Sequence, residues 1–261
     1  MSVWSPPDDT RLSRLRRAAL LICLAATSSM LIPQSAKTAE QQMRFVVVRS
    51  NQADCEPTCT EWISAEGMIG PKTPTLLKAT LRTLGGRKLP LVLASPGGDM
   101  AAAMAIGRLV RRNGLSVAVG RTVFAGCQPD QEGCTANDNR GADYVGAAVS
   151  RGRCAQACTL VLAAGVRRLA GDGTAIEAIP IVAASEAGTK KLAAYYGEMG
   201  VRYQVLVDGP RNEDGNLGRW QLFKALLVTS TLAVDQLVDA QICRGTPAPN
   251  NCRVFTTMDL E

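Results

Sequence analysis

The chain has 261 residues, 46% hydrophobic and 20% charged, which is enough apolar material for one sizeable core and excludes an intrinsically disordered chain. Its net charge is +6; the first 36 residues, with four basic and two acidic side chains, supply two of those charges, and the +4 left on 225 residues with few aromatics argues against a nucleic-acid partner. There is no histidine, which removes the commonest general base from any chemistry the chain performs.

Arg11, Arg14, Arg16 and Arg17 precede an apolar run from Ala18 to Ile32, followed by Pro33 and small or polar residues, the layout of a secretory signal peptide. The run carries Thr27, Ser28 and Ser29 and is 15 residues long, short and polar against the roughly 20 apolar residues of a spanning helix. Residues 1–36 are therefore expected to direct export to a periplasmic or extracellular space. Ala36 and Ala39 suit the residue before a cleavage site but Gln34 and Lys37 suit its partner position poorly, so a membrane-anchored form facing the periplasm is the alternative.

Residues 37–43 read as a polar stub, and Phe45–Val48 and Trp62–Ala65 as short strands. Thr73 and Pro74 are an N-cap and first-turn pair for a helix with Leu77, Leu81 and Leu84 at helical spacing, stopped by Gly85 and Gly86. Leu89–Ala94 is a continuous apolar strand. After Ser95-Pro96-Gly97-Gly98, Asp99 can cap a helix to about Asn113 with Ile106, Leu109 and Val110 inward, and Leu115–Val119 returns as a strand. Apolar strand, helix, apolar strand is a βαβ unit, so the class is α/β with a largely parallel sheet covered on both faces. Residues 121–153 are expected as a cysteine-bearing surface insertion. Beyond it come a helix over Ala155–Ala164, strands at Val166–Leu169 and Ala175–Val182, a helix capped by Ser185 that reaches Met199, and a last helical stretch over roughly Arg219–Ala240. The basic pairs Arg111–Arg112 and Arg167–Arg168 read as solvated faces or element ends.

Cys23 lies in the N-terminal apolar run, and eight further cysteines form short-range couples: Cys55 and Cys59, Cys127 and Cys134, Cys154 and Cys158, Cys243 and Cys252. Disulfides in an oxidising compartment are the simplest explanation, although eight cysteines allow 105 pairings. Zinc is disfavoured by the spacings and the missing histidine, and no metal or cofactor is expected. The Gly97–Gly98 turn, between an apolar strand and a helix, can present unpaired N–H groups to an anion or oxyanion, or can simply be a tight turn that needs glycine.

Ser95-Pro96-Gly97-Gly98-Asp99 with Ala105-Ile106, followed some sixty residues later by Ala157-Cys158-Thr159-Leu160-Val161-Leu162-Ala163-Ala164-Gly165, resembles the ClpP-type serine proteases and their crotonase-superfamily relatives. The secreted, cysteine-containing ClpP-like proteins of bacteria are similar also in the Cys-x-x-x-Cys-Thr-Leu run and in Ile63-Ser64-Ala65-Glu66-Gly67. The likeness spans about residues 62–200 and fades over 201–261. It implies a ClpP/crotonase-like ββα-superhelix as a single domain over 37–261, and a ring or trimer as one expectation for assembly. It also implies an oxyanion hole from Gly97, Gly98 and the N–H of Ala157. At the family's nucleophile position stands Gln156, and at its histidine position Ile179 is the match.

A carboxamide does not attack a carbonyl and an isoleucine moves no proton, so Ser–His chemistry is excluded. The expectation is a pseudoenzyme that binds a peptide, carbonyl or carboxylate ligand or serves as a scaffold for a protein partner. The alternative is an active hydrolase using Cys154, Cys158 or Thr159 as nucleophile. Lys190 and Lys191, as a dyad base, and Glu177, as a crotonase-type carboxylate, are weaker candidates; the lysines read as the solvated face of an amphipathic helix.

Overall fold

Strand β1 (Arg44–Ser50) pairs antiparallel with β2 (Thr58–Glu66), and β2 continues parallel into β3 (Leu91–Ala94) and β4 (Val117–Val119). The computed structural model describes residues 41–138, 140–177, 185–213 and 215–254, together with Met1. Residues 2–36 of the expected signal segment, and Ile179, lie outside the described residues. The described residues from 41 onward form one compact unit.

These strands read as unbroken apolar runs because both faces of the sheet are covered. Ile63, Leu91, Leu93, Val117 and Val119 point into one core, while Trp62, Val92 and Ala118 point into a second on the opposite face. Burying one such leucine is worth roughly 1.5–3 kcal/mol. The first core is closed by α1 (Thr73–Thr83), α2 (Met100–Arg112), α3 (Cys158–Ala163) and α4 (Glu186–Glu198), through Leu77, Ile106, Leu160 and Tyr195 among others. The second is closed by Tyr144 and by Val234, Leu237 and Val238 around α7 (Asp235–Val238). Between α4 and α7 lie α5 (Tyr203–Asp208) and α6 (Arg219–Lys224).

The sheet order is β5-β6-β1-β2-β3-β4-β8, with β5 (Arg121–Phe124), β6 (Tyr144–Val149) and β8 (Arg168–Leu169), and β10 (Cys252–Val254) lies antiparallel on β2. Strands β7 (Arg153–Ala155) and β9 (Ala175–Glu177) form a separate parallel pair. The class is mixed α/β with a largely parallel sheet.

Several expectations need correction. The stretch 121–153 is not only a surface insertion: β5 and β6 form an antiparallel pair, and β6 joins β1, so both ends of the stretch belong to the sheet. Thr73 does not cap α1; it is the first helical residue and its Oγ1 accepts the Gly70 N–H at 2.9 Å, while Lys72 stands at the N-cap without a side-chain bond. Residues 155–157 are withheld from α3 because Arg153–Ala155 are taken up by pairing with β9. The stretch 219–240 breaks after α6, where Leu226 turns at φ +59° and the N–H groups of Thr229 and Ser230 go to the Arg168 carbonyl at 2.8 and 3.1 Å; the β-branched run that follows is a poor helix former. Arg168 stands at an element end, the start of β8, but is not solvated: it is 6% exposed, its Nη1 donates to the carbonyls of Ala163 and Met199 at 2.9 and 3.2 Å, and burial, followed by Arg111, lowers its pKa to about 10.

The eight cysteines outside the N-terminal run are bridged within their couples: Cys55–Cys59, Cys127–Cys134, Cys154–Cys158 and Cys243–Cys252. Asp99 and Ser185 cap their helices by accepting the N–H groups of Ala102 and Gly188. Among the described residues no helix is long and apolar enough to cross a membrane.

Candidate functional site

At the carboxyl edge of the sheet, β7 is drawn against the end of β3. Ser95 N–H donates to the Arg153 carbonyl at 2.8 Å, and Ala155 N–H to the Ser95 carbonyl at 3.0 Å. On its other side β7 pairs with β9, and Gln156 N–H reaches the Glu177 carbonyl at 2.8 Å. The strand then ends, Gln156 bends the chain at φ +49°, and α3 begins two residues later. A left-handed φ on a residue with a Cβ costs on the order of 1 kcal/mol or more. Part of that is offset at the Gln156 carbonyl, which accepts the Thr159 N–H at 3.0 Å and the Thr159 hydroxyl at 2.7 Å. Gln156 is exposed. A sharp strand-turn-helix bend that leaves one side chain exposed is one backbone on which hydrolases mount a nucleophile, and here it carries a carboxamide.

The glycine turn faces this bend. A Cβ on Gly97 would sit 3.0 Å from the Ala155 carbonyl oxygen, 3.1 Å from Gln156 Cβ and 3.5 Å from the Ala157 nitrogen, so the missing side chain is what lets the two segments meet. The two glycines do different things. Gly97 N–H donates to Ser95 Oγ at 3.2 Å, and its carbonyl accepts the Ile69 N–H at 2.8 Å. It is therefore not an open oxyanion donor, contrary to the expectation; buried Ser95 takes that N–H, which a sequence motif does not reveal. Gly98 is exposed, and among the described residues its N–H has no acceptor. Ala157 is 1% exposed, and its N–H also lacks an acceptor among the described residues. A buried donor without a partner is uncommon in folded chains, and a ligand oxygen would satisfy it.

The alternative nucleophiles fare poorly. Cys154 and Cys158 are fully buried and joined to each other, so neither offers a thiolate. Thr159 is fully buried, and its hydroxyl is engaged by the Gln156 carbonyl and, at 2.9 Å, by the Tyr196 hydroxyl. Glu177 is gripped by Arg153 through two bonds of 2.7 and 2.8 Å, which hold its carboxyl below the usual carboxylate range and leave it a poor proton acceptor. Lys190 pairs with Glu186 on the exposed side of α4, and Lys191 is exposed beside it. Sequence reasoning missed Ser95 and Tyr196, both of which support the bend from beneath; a hydroxyl two residues before the glycine was the only signal.

No family model and no curated protein matches the chain. Solved structures overlap it loosely. A mutant of the 1510-N membrane-bound stomatin-specific protease in complex with a substrate peptide is 16% identical, with a TM-score of 0.40 over 65% of this chain and 73% of that one. A second mutant of the same protease is 18% identical, with a TM-score of 0.37 over 72% and 87%. A ClpP1 mutant from Listeria monocytogenes is 10% identical, with a TM-score of 0.38 over 65% and 89%. Overlap this loose carries no argument about the site.

Proposed function

We propose that the chain is an exported, disulfide-stapled pseudoenzyme of ClpP/crotonase type, which binds a carbonyl, carboxylate or extended peptide at the N–H groups of Gly98 and Ala157 and does not cleave it. The observation that carries this reading is Gln156: exposed, at φ +49° and opposite Gly97, it occupies a nucleophile's backbone without a nucleophile's chemistry. With no histidine in the chain, restoring a hydroxyl alone would leave it without a base. Four disulfides fit an oxidising environment and support export.

The test is labelling of purified protein, native and reduced, with a fluorophosphonate and a thiol probe. Fluorophosphonate labels neither form, the thiol probe labels only the reduced form, and neither form turns over a peptide or ester. The Gln156→Ser variant stays at the same background. Stoichiometric labelling of one residue in the native protein, accompanied by turnover, overturns the proposal.

A further inference from the structure

A cavity of about 520 Å³ opens at the opposite, amino edge of the sheet. Its floor is the backbone entering three strands, with Pro90 before β3, Ser116 before β4 and Arg167 before β8; its wall is the C-terminal segment, from Gln236 through Ile242 to Asn250 and Asn251. Ile242 lies beside one end of the Cys243–Cys252 bridge, and Asn250 and Asn251 lie inside the loop it closes. This wall belongs to the part of the chain where the sequence resemblance has faded.

The charges around the cavity are one-sided. Lys88 and Arg167 line it, both exposed, and among the described residues neither side chain has a hydrogen bond or ion pair. Among the described residues no carboxylate lines it. Glu61, on the neighbouring strand, is fully buried and already held by Arg87 and Arg253. Of the other polar groups, Ser116 and Asn250 can donate to an oxygen, while the Gln236 amide already donates to the Asp235 carboxylate beside the cavity at 3.4 Å. A cavity of similar size on the carboxyl edge differs in degree: two of its three arginines are matched by acids, Arg44 with Asp130 at 3.0 Å and Arg121 with Glu66 at 3.9 Å, and Glu66 and Asp130 themselves line it. Two unpaired cations with amide and hydroxyl donors around one concavity favour an anion of two or more charges, because a guanidinium and an ammonium can each take a separate oxygen.

We propose that this cavity binds a small, multiply charged anion bearing phosphate or several carboxylates. The site is independent of the Gly98–Gln156 bend, from which the four residues of β3 alone separate it by roughly 10 Å.

Isothermal titration of inorganic pyrophosphate, and separately of citrate, into the full chain with disulfides intact at low ionic strength tests the proposal. One saturable site is expected for at least one of the two, and which of them binds tells phosphate from polycarboxylate. Lys88→Ala and Arg167→Ala each weaken it by about tenfold, the usual worth of one charge-assisted hydrogen bond, and together abolish it. Both side chains are exposed and unpaired, so the variants keep the fold, and Lys190→Ala with Lys191→Ala serves as a control that leaves affinity unchanged. The proposal fails if neither anion saturates, if binding survives the double Lys88→Ala/Arg167→Ala variant, or if the control weakens it equally.

Discussion

Gly98 meets two demands at once: a φ of +127° that few side chains adopt, and contact with the Ile69 backbone so close that any Cβ would collide with its carbonyl oxygen. Gly98→Ala is therefore expected to destabilise the protein by about 2–4 kcal/mol, from strain plus overpacking, read as a lower urea midpoint at unchanged slope. A midpoint within error of the parent would mean that the turn relaxes freely. Gly97 and Gly98 look equivalent in the sequence, yet Ser95 Oγ separates an engaged N–H from an open one. That distinction depends on one buried rotamer, which no residue pattern encodes.

At the scale of elements, the bend is held from both ends. Cys154 on β7 and Cys158 at the start of α3 are bridged around Gln156, and Thr159 with Tyr196 of α4 ties the first helical turn to the neighbouring helix. Closing so short a loop restricts the unfolded chain, and the Cys154→Ser/Cys158→Ser variant is expected to lose about 2 kcal/mol with a faster-exchanging Ala157 amide. Hydrogen exchange at Ala157 that matches the parent would show that the hydrogen bonds alone hold the bend. Helix termini were largely legible: Asp99, Ser185, the Gly85–Gly86 stop and Gly114 act locally, and local rules read them. Strands β5, β6 and β10 were not legible, because short segments flanked by turn-forming residues become strands only when a partner strand is presented. The broken helix after Lys224 has the same cause, since the Arg168 carbonyl offered the backbone N–H groups of Thr229 and Ser230 a bond outside the helix.

For the molecule as a whole, burial on both faces of the sheet leaves its mark on all four tyrosines. Tyr144, Tyr195, Tyr196 and Tyr203 are each raised above the ordinary 10.0, with burial the leading cause, and Tyr196 is pushed up to about 12 even though its bond with Thr159 pulls the other way. The folded state thus binds more protons than the unfolded one above pH 10, so this contribution to stability is complete below that pH and is lost as pH rises toward about 12. Spectrophotometric titration is expected to show little tyrosinate near pH 10, then ionisation together with loss of structure. Full reversible ionisation near pH 10 without unfolding would contradict the burial of the tyrosine cluster. The absence of histidine, the even set of cysteines in short couples, the α/β class and the glycine turn were determined by sequence alone, because composition and short-range spacing do not depend on what lies across the fold. Only the tertiary structure decided that Gln156 stands opposite Gly97, that Arg168 is buried, and that the C-terminal segment walls a cationic cavity, since each of these joins residues far apart in the chain through sheet pairing and packing.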